Sequence, residues 1–200
     1  MEMSRSRAGR RSGNGKPSPG SVFRHRLVGL TGTNGAGKGE AAAYLVKKGY
    51  AYVSLSGEIR EELRRKGKAA TRDEMIAAGN ALRRRYGADI LARRVMKKVK
   101  GPTVIDSIRN AGEVAFLRSR GGFILVAVDA PAELRFARVQ KRGRAESAST
   151  FDEFTAKEKE EMSGGKSGQQ LRRCLGLADL TIFNDGTLQS LRRKIKERLL

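Results

Sequence analysis

Apolar positions along the chain alternate between two rhythms, short unbroken runs and stripes spaced three and four residues apart. The runs Leu27 to Thr31, Tyr50 to Ser54, Thr103 to Asp106, Phe123 to Val128 and Leu180 to Phe183 predict five strands. The fourth of these runs, Phe123 to Val128, has no polar break, which belongs to a central strand covered on both faces. Helices fill the intervals: Gly37 to Lys48, Gly57 to Lys66, Ala88 to Val99, Ala111 to Ser119, and one opened by Pro131. Thr71-Arg-Asp-Glu74 and Thr150-Phe-Asp-Glu153 have the spacing of capping boxes. The first opens a helix with Met75, Gly79, Leu82 and Tyr86 on one face, and the second a helix running to Met162. Gly143 to Thr150 reads as a polar, mobile loop, and Ser163 to Gly168 as a Ser/Gly linker before a short helix. Leu188, Leu191, Ile195 and Leu199 stripe a final helix. Strands alternating with helices predict an α/β fold of three layers around a parallel sheet, without internal repeats.

The first strand breaks into Gly32-Thr-Asn-Gly-Ala-Gly-Lys38, which satisfies G-x-x-x-x-G-K. Glycines let backbone N–H groups wrap an anion, the following helix presents its positive end, and Lys38 reaches the β and γ phosphates of a nucleotide. The segment therefore reads as a phosphate-binding loop. The Ser or Thr that normally follows the lysine and helps hold Mg²⁺ is Gly39, and Glu40 comes next. Glu40 has two readings, a first-turn carboxylate matched to the helix dipole and a water-mediated ligand to Mg²⁺.

Composition adds charge. The 200 residues carry a formal net charge of +21, which implies attraction to polyanions: nucleotides, nucleic acid or an anionic surface. Much of it lies in residues 1–25 and in the Arg/Lys clusters between Arg60 and Lys100. The leader, rich in Ser, Gly and Arg with Pro17 and Pro19, cannot pack a core and is expected to be disordered, leaving residues 26–200 as one domain. It reads either as an organelle-import segment or as an arm for nucleic acid or another polyanion. The single cysteine, Cys174, cannot form an internal bridge and points to the cytoplasm or another reducing compartment, and no apolar run is long enough to span a bilayer. A lone histidine, His25, and a lone cysteine exclude a zinc deaminase site within this chain.

In a sheet of this kind ligands gather at the carboxyl ends of the strands. The phosphate loop, Ser54 to Arg60, Asp106 to Asn110, Asp129, and Asn184 to Gly186 should therefore face one cleft. Asp106 ends a buried strand where a Walker B carboxylate would hold a metal ion through water. Arg135, Arg138 and Arg142 share one helical face leading into the Gly143 loop, where Arg144 lies, so they can close over a nucleotide and neutralise developing charge.

These residues resemble a known family. Gly-Thr-Asn-Gly-Ala-Gly-Lys-Gly looks like the adenylate-kinase form of the phosphate loop, in which Gly39 is normal and the departure is Glu40 in place of threonine. Ser56-Gly-Glu-Ile-Arg60 is similar to the segment that binds the acceptor nucleotide. Asp106-Ser-Ile-Arg109 resembles the strand end with a substrate-binding arginine, and Arg138-Val-Gln-Lys-Arg142 the start of the lid. The phrases "VIDSIRNAGEVAFLR", "VDAPAELRFARVQKR" and "CLGLADLTIFNDGTL" resemble nucleotide-kinase-like proteins of archaea and the amino-terminal domain of some deoxycytidylate deaminases. Dephospho-coenzyme-A kinase is a more distant likeness.

The resemblance implies a P-loop kinase fold with a helical acceptor-binding insertion and a lid. It implies ATP and Mg²⁺ as cofactors, and phosphotransfer to a nucleoside or deoxynucleoside monophosphate or a related small phosphorylated acceptor, with dephospho-CoA as an alternative. Gly32, Thr33, Asn34, Gly35, Ala36, Gly37, Lys38, Gly39 and Glu40 would hold the donor, with Asn184 and Gly186 near its base. Lys38, Asp106, Arg138 and Arg142 would serve catalysis, Asp106 and Glu40 the metal, and Ser56, Arg60, Arg72, Arg109 and Arg144 the acceptor. The competing class is a non-catalytic nucleotide sensor or nucleic-acid-associated protein, motivated by Glu40, whose charge beside the phosphates repels them unless a metal intervenes.

Overall fold

A computed structural model describes residues 24–143, 149–162 and 168–200. Nearly all of the leader, Arg144, most of the Gly143 loop and most of the Ser163 linker lie outside the described residues. Five strands, β1 (Leu27–Thr31), β2 (Ala51–Ser54), β3 (Thr103–Asp106), β4 (Phe123–Asp129) and β5 (Leu180–Phe183), form one all-parallel sheet in the order β2-β3-β1-β4-β5. β1 is its centre, with Gly29 beside both Ile105 and Leu125, and β4 lies between β1 and β5.

Alternation along the strands sends successive side chains to opposite faces and so makes two cores. On one face Val28, Leu30, Val126 and Val128 pack against helix α1 (Lys38–Lys47) through Leu45, and against the last helix, α9 (Leu188–Leu199), through Leu191, Ile195 and Leu199. That contact fulfils the stripe read from the sequence, apart from Leu188, which is exposed. On the other face Leu27, Ile105 and Leu125 meet α2 (Leu55–Arg65), α3 (Arg72–Tyr86), α4 (Ile90–Met96) and α5 (Ala111–Arg118). The remaining helices are α6 (Ala132–Arg142), α7 (Phe151–Met162) and α8 (Leu171–Gly176).

Both predicted caps form. Thr71 accepts the Glu74 N–H at 3.3 Å, and Thr150 accepts that of Glu153 at 3.2 Å while the Glu153 carboxylate returns to Thr150 N. The α3 stripe differs from expectation at its end, because Tyr86 is 44% exposed and Arg83 is the buried residue. Arg83 goes inside to meet Glu113 of α5, and its charge is neutralised there. Helices α6 and α7 are joined by an aromatic cluster of Phe136, Phe151 and Phe154, with centroids 5.6 and 5.7 Å from Phe136 to the other two. Arg135 lies over the Phe154 ring and pairs with Glu158 at 2.7 Å.

The Arg/Lys clusters of α2 and α4 are largely knitted to acids: Arg64 and Arg65 to Glu61, Lys66 and Arg94 to Glu62, Lys98 to Glu58. Exposed pairs of this kind contribute only about 0–1 kcal/mol each. They form a polar face that remains net positive, five basic side chains meeting three carboxylates. Among the described residues no helix is long and apolar enough to cross a membrane.

Candidate functional site

At the carboxyl ends of the strands lies a cavity of about 1180 Å³ whose lining includes Lys38, Ser56, Arg60, Arg72, Asp106, Arg109, Arg138 and Arg142. Residues from four of the five predicted segments line it together; Asp129 stands behind the phosphate loop.

The loop between β1 and α1 is braced from behind. Gly35 and Gly37 have φ of 80° and 103°, and a Cβ on either would strike the Arg135 carbonyl or the Asn184 amide, so only glycine fits the loop at these points. The Thr33 hydroxyl donates to Asp129 Oδ1 at 2.6 Å, and Asn184 Nδ2 donates to the Ala36 carbonyl at 2.8 Å. Thr33, Ala36 and Asn184 are buried. Asn184, expected near the donor's base, is thus a brace of the loop as well as a cavity-lining residue, and its carbonyl accepts from Arg138 Nη2 at 3.0 Å. Lys38 Nζ folds over the loop onto the carbonyls of Gly32 and Thr33, at 2.8 and 2.7 Å. Burial, then the nearby Arg109 charge, pushes its pKa down from 10.5 to about 8.

The helical arginines divide in role. Arg135, expected on the closing face, is buried and positions the loop: its Nε donates to the Ala130 carbonyl at 2.7 Å and its Nη1 reaches the Asn34 carbonyl at 3.4 Å. Arg138 and Arg142 do line the cavity, and Arg138 Nη1 is buried without a hydrogen-bond partner. A buried unmet guanidinium donor beside a phosphate loop is the feature an anionic phosphate would satisfy.

Opposite the loop, β3 ends in Asp106, whose Oδ1 accepts the Ser107 N–H at 2.6 Å and whose Oδ2 accepts the Tyr52 hydroxyl at 3.1 Å. Burial and the Asp106 carboxylate together raise the Tyr52 pKa, which keeps that hydroxyl a donor. Ser107 is the one described non-glycine residue with positive φ, 67°, a conformation costing roughly 1–3 kcal/mol that is concentrated at functional sites. It turns the Ser107 hydroxyl toward Ser56, 3.2 Å away, and Ser56 in turn meets Ser54 at 2.9 Å and Arg60 at 3.2 Å. Arg72 and Arg109, from α3 and the β3–α5 connection, converge on Glu161 of α7.

Among the described residues no three His, Cys, Asp or Glu side chains are grouped to hold a metal ion. Asp106 and Glu40 both line the cavity, and Glu40 stands exposed on the first turn of α1. One or two carboxylates completed by phosphate oxygens and water is the donor set Mg²⁺ prefers, so these residues fit that ion. Cys174 is buried, and burial pushes its thiol up to about 12, so it is a packing residue.

Sequence reading missed Glu161 and Glu113. Glu113 left a signal, because Asn110-Ala-Gly-Glu113 has capping-box spacing and does cap α5. Glu161 left none, since its partners are 89 and 52 residues away.

Residues 28–162 match the AAA domain family designated AAA_18. A UPF0200 protein of Thermococcus gammatolerans is 32% identical over 181 residues, covering 85% of this chain and 92% of its own. A UPF0200 protein of Sulfurisphaera tokodaii is 28% identical over 176 residues, covering 87% of this chain and 96% of its own. The chain spans 56% of the length of a UPF0200/UPF0201 protein of Archaeoglobus fulgidus, at 29% identity over 90% of itself. Among solved structures, shikimate kinase from Bacteroides thetaiotaomicron has a similar fold, with a TM-score of 0.59 and 17% identity over 86% of this chain and 96% of that one. Shikimate kinase from Aquifex aeolicus gives 0.52 and 15% over 86% and 94%. A P-loop kinase fold, a family match over residues 28–162, and archaeal relatives of nearly the same length together make this chain a member of the AAA_18 family and a UPF0200 protein.

Proposed function

We propose that the protein is an ATP-dependent phosphotransferase that moves the γ-phosphate of ATP onto a nucleoside monophosphate or a related small phosphorylated acceptor. The observation that carries this reading is the convergence, in one cavity, of the phosphate loop with Lys38, the strand-end carboxylate Asp106, and the arginines Arg60, Arg72 and Arg109. Phosphoryl transfer asks a protein for positioning and charge neutralisation, and this cavity supplies both. The loop amides and Lys38 hold the donor phosphates. Arg138 and Arg142 add positive charge on the donor side. Arg72 and Arg109 grip the acceptor's phosphate, with Arg60 and Ser56 beside it. Asp106 and Glu40 would hold Mg²⁺ through water and phosphate oxygens; when bound, that ion neutralises charge on the β and γ phosphates. An acceptor phosphate oxygen attacks the γ phosphorus, and ADP leaves with the electron pair of the broken bond.

A plain nucleotide sensor has no use for a further group of arginines, Arg60, Arg72 and Arg109, lining the same cavity as the donor loop, which favours the kinase over that reading. A coupled assay of ADP release with a panel of nucleoside and deoxynucleoside monophosphates, and with dephospho-CoA, tests it. One acceptor should raise ADP release well above the ATP-only rate. ATP binding with no acceptor-dependent release from any of them would overturn the proposal.

A further inference from the structure

We infer that the Glu161 carboxylate sits where the acceptor's phosphate belongs, and that the acceptor binds by displacing it; this deepens the phosphotransferase reading and rests on it. Glu161 is buried, its side chain 5% exposed, and both of its oxygens are engaged by the two acceptor-side arginines. Oε1 accepts from Arg72 Nε and Nη2 at 3.1 and 2.8 Å, and Oε2 accepts from Arg109 Nη1 at 2.6 Å. A side-on guanidinium fork plus a second donor from another direction is how two arginines grasp an oxyanion. Gln169 Oε1 also accepts from Arg109 Nη1, at 2.9 Å, and fixes that arginine from the side.

Charge balance separates an occupant from a permanent partner. One carboxylate between two guanidiniums leaves that trio net positive; Asp106 and Glu113 also act on Arg109 but bond to neither guanidinium, and the cavity sets Lys38, Arg60 and Arg138 against Glu40 and Asp106. Among the cavity's lining residues, Arg83 shows the alternative, one buried carboxylate for one guanidinium. A phosphate monoester, carrying close to two negative charges near neutral pH, neutralises Arg72 and Arg109 together, which a single carboxylate cannot do. The Arg72–Arg109 seat therefore takes a dianionic phosphate in preference to Glu161. Tethered to α7, Glu161 competes at high effective concentration. Bare phosphate has to overcome it unaided, whereas an acceptor with further contacts to the Ser54–Ser56–Ser107 hydroxyls does so with help. Glu161 is in this sense a specificity-determining residue.

The test uses the full chain with its phosphate loop filled by a non-hydrolysable ATP analogue and Mg²⁺, titrated with inorganic phosphate and followed by melting temperature. Glu161→Gln should bind phosphate about tenfold more tightly than the parent, as expected when one charged competitor is removed. Glu161→Asp, which keeps the charge and shortens the reach, should shift affinity the same way. Glu160→Gln changes net charge equally on an exposed neighbour whose side chain is 64% exposed, and should stay within about twofold of the parent. Phosphate affinity in both Glu161 variants equal to or weaker than in Glu160→Gln would make Glu161 a fixed support for the arginines and overturn the inference, as would failure of both variants to fold. If the ATP analogue itself leaves the melting temperature unmoved, the nucleotide reading fails, and that result is visible before any phosphate is added.

Discussion

Glu113→Ala should remove a large share of the protein's stability, although Glu113 touches no nucleotide-loop residue. The carboxylate is fully buried and takes four donors: Arg83 Nε and Nη2 at 3.0 and 2.8 Å on one oxygen, the backbone N–H groups of Arg109 and Asn110 at 2.9 and 3.0 Å on the other. Truncation leaves the Arg83 guanidinium, 2% exposed, with only a long 3.5 Å bond to Asn80. Stranding one member of a buried ion pair costs about 3–5 kcal/mol, and the two freed N–H groups add roughly 1 kcal/mol each unless water reaches them. A net loss of about 3–7 kcal/mol, the lower end applying if water reaches those groups, is expected against a total of ~5–15 kcal/mol, lowering Tm by on the order of 10–20 °C for a chain of this size. Urea and thermal unfolding followed by circular dichroism measure it. The double replacement Arg83→Met with Glu113→Leu removes both charges and should recover most of the loss. A Glu113→Ala cost under about 1 kcal/mol, or a double variant as costly as the two singles summed, would show that the pair is not the electrostatic lock inferred.

Lys38→Ala should abolish the melting-temperature rise given by ATP while leaving the unliganded protein folded; an unchanged rise would take Lys38 out of the donor site. Because the free Lys38 ammonium titrates near pH 8, and a bound triphosphate stabilises its charged form, ATP binding should take up protons between about pH 8 and 10 and hardly any at pH 6.5. Calorimetry in buffers of different ionisation enthalpy reads this, and proton release in that window would contradict it. The same depressed pKa makes the buried charge a cost below pH 8, so its contribution to stability should improve as pH rises from 8 toward 10.5. Glu40→Thr should tighten ATP binding without divalent cation by no more than about fivefold, the scale of one exposed charge, while weaker binding confined to Mg²⁺-containing buffer would assign Glu40 to the metal. Cys174 should resist iodoacetamide at pH 8 in the native protein and react once urea unfolds it.

The strand order's raw material, the phosphate loop and Asp106 were legible in the sequence because each rests on local signals: apolar runs, glycine spacing, a strand-terminal carboxylate. Helix limits moved by a few residues, α4 covering Ile90–Met96 inside the expected Ala88 to Val99, since end positions depend on packing. What local patterns could not supply was partnership at a distance. Tyr86 fitted the apolar period of α3 better than Arg83, yet Arg83 is inside because Glu113, 30 residues on, neutralises it. Arg135 carried the same helical spacing as Arg138 and Arg142 but turns inward to Asn34 and Glu158, which lie 101 and 23 residues away. Arg72 lines the cavity, while the carboxylate that holds it was invisible until the chain was folded.

Helix α7 carries Glu158 and Glu161 one turn apart, the first clasping Arg135 behind the phosphate loop and the second spanning Arg72 and Arg109. The Phe136, Phe151 and Phe154 rings weld that helix to α6, from which Arg138 extends. The phosphate-loop side and the Arg72–Arg109 side of the cavity thus hang from one helix pair. In the phosphotransferase proposed above, a tug at either end would be felt at the other through roughly a single helical turn, and the affinities for donor and acceptor would be bound to each other by reciprocity whichever arrives first.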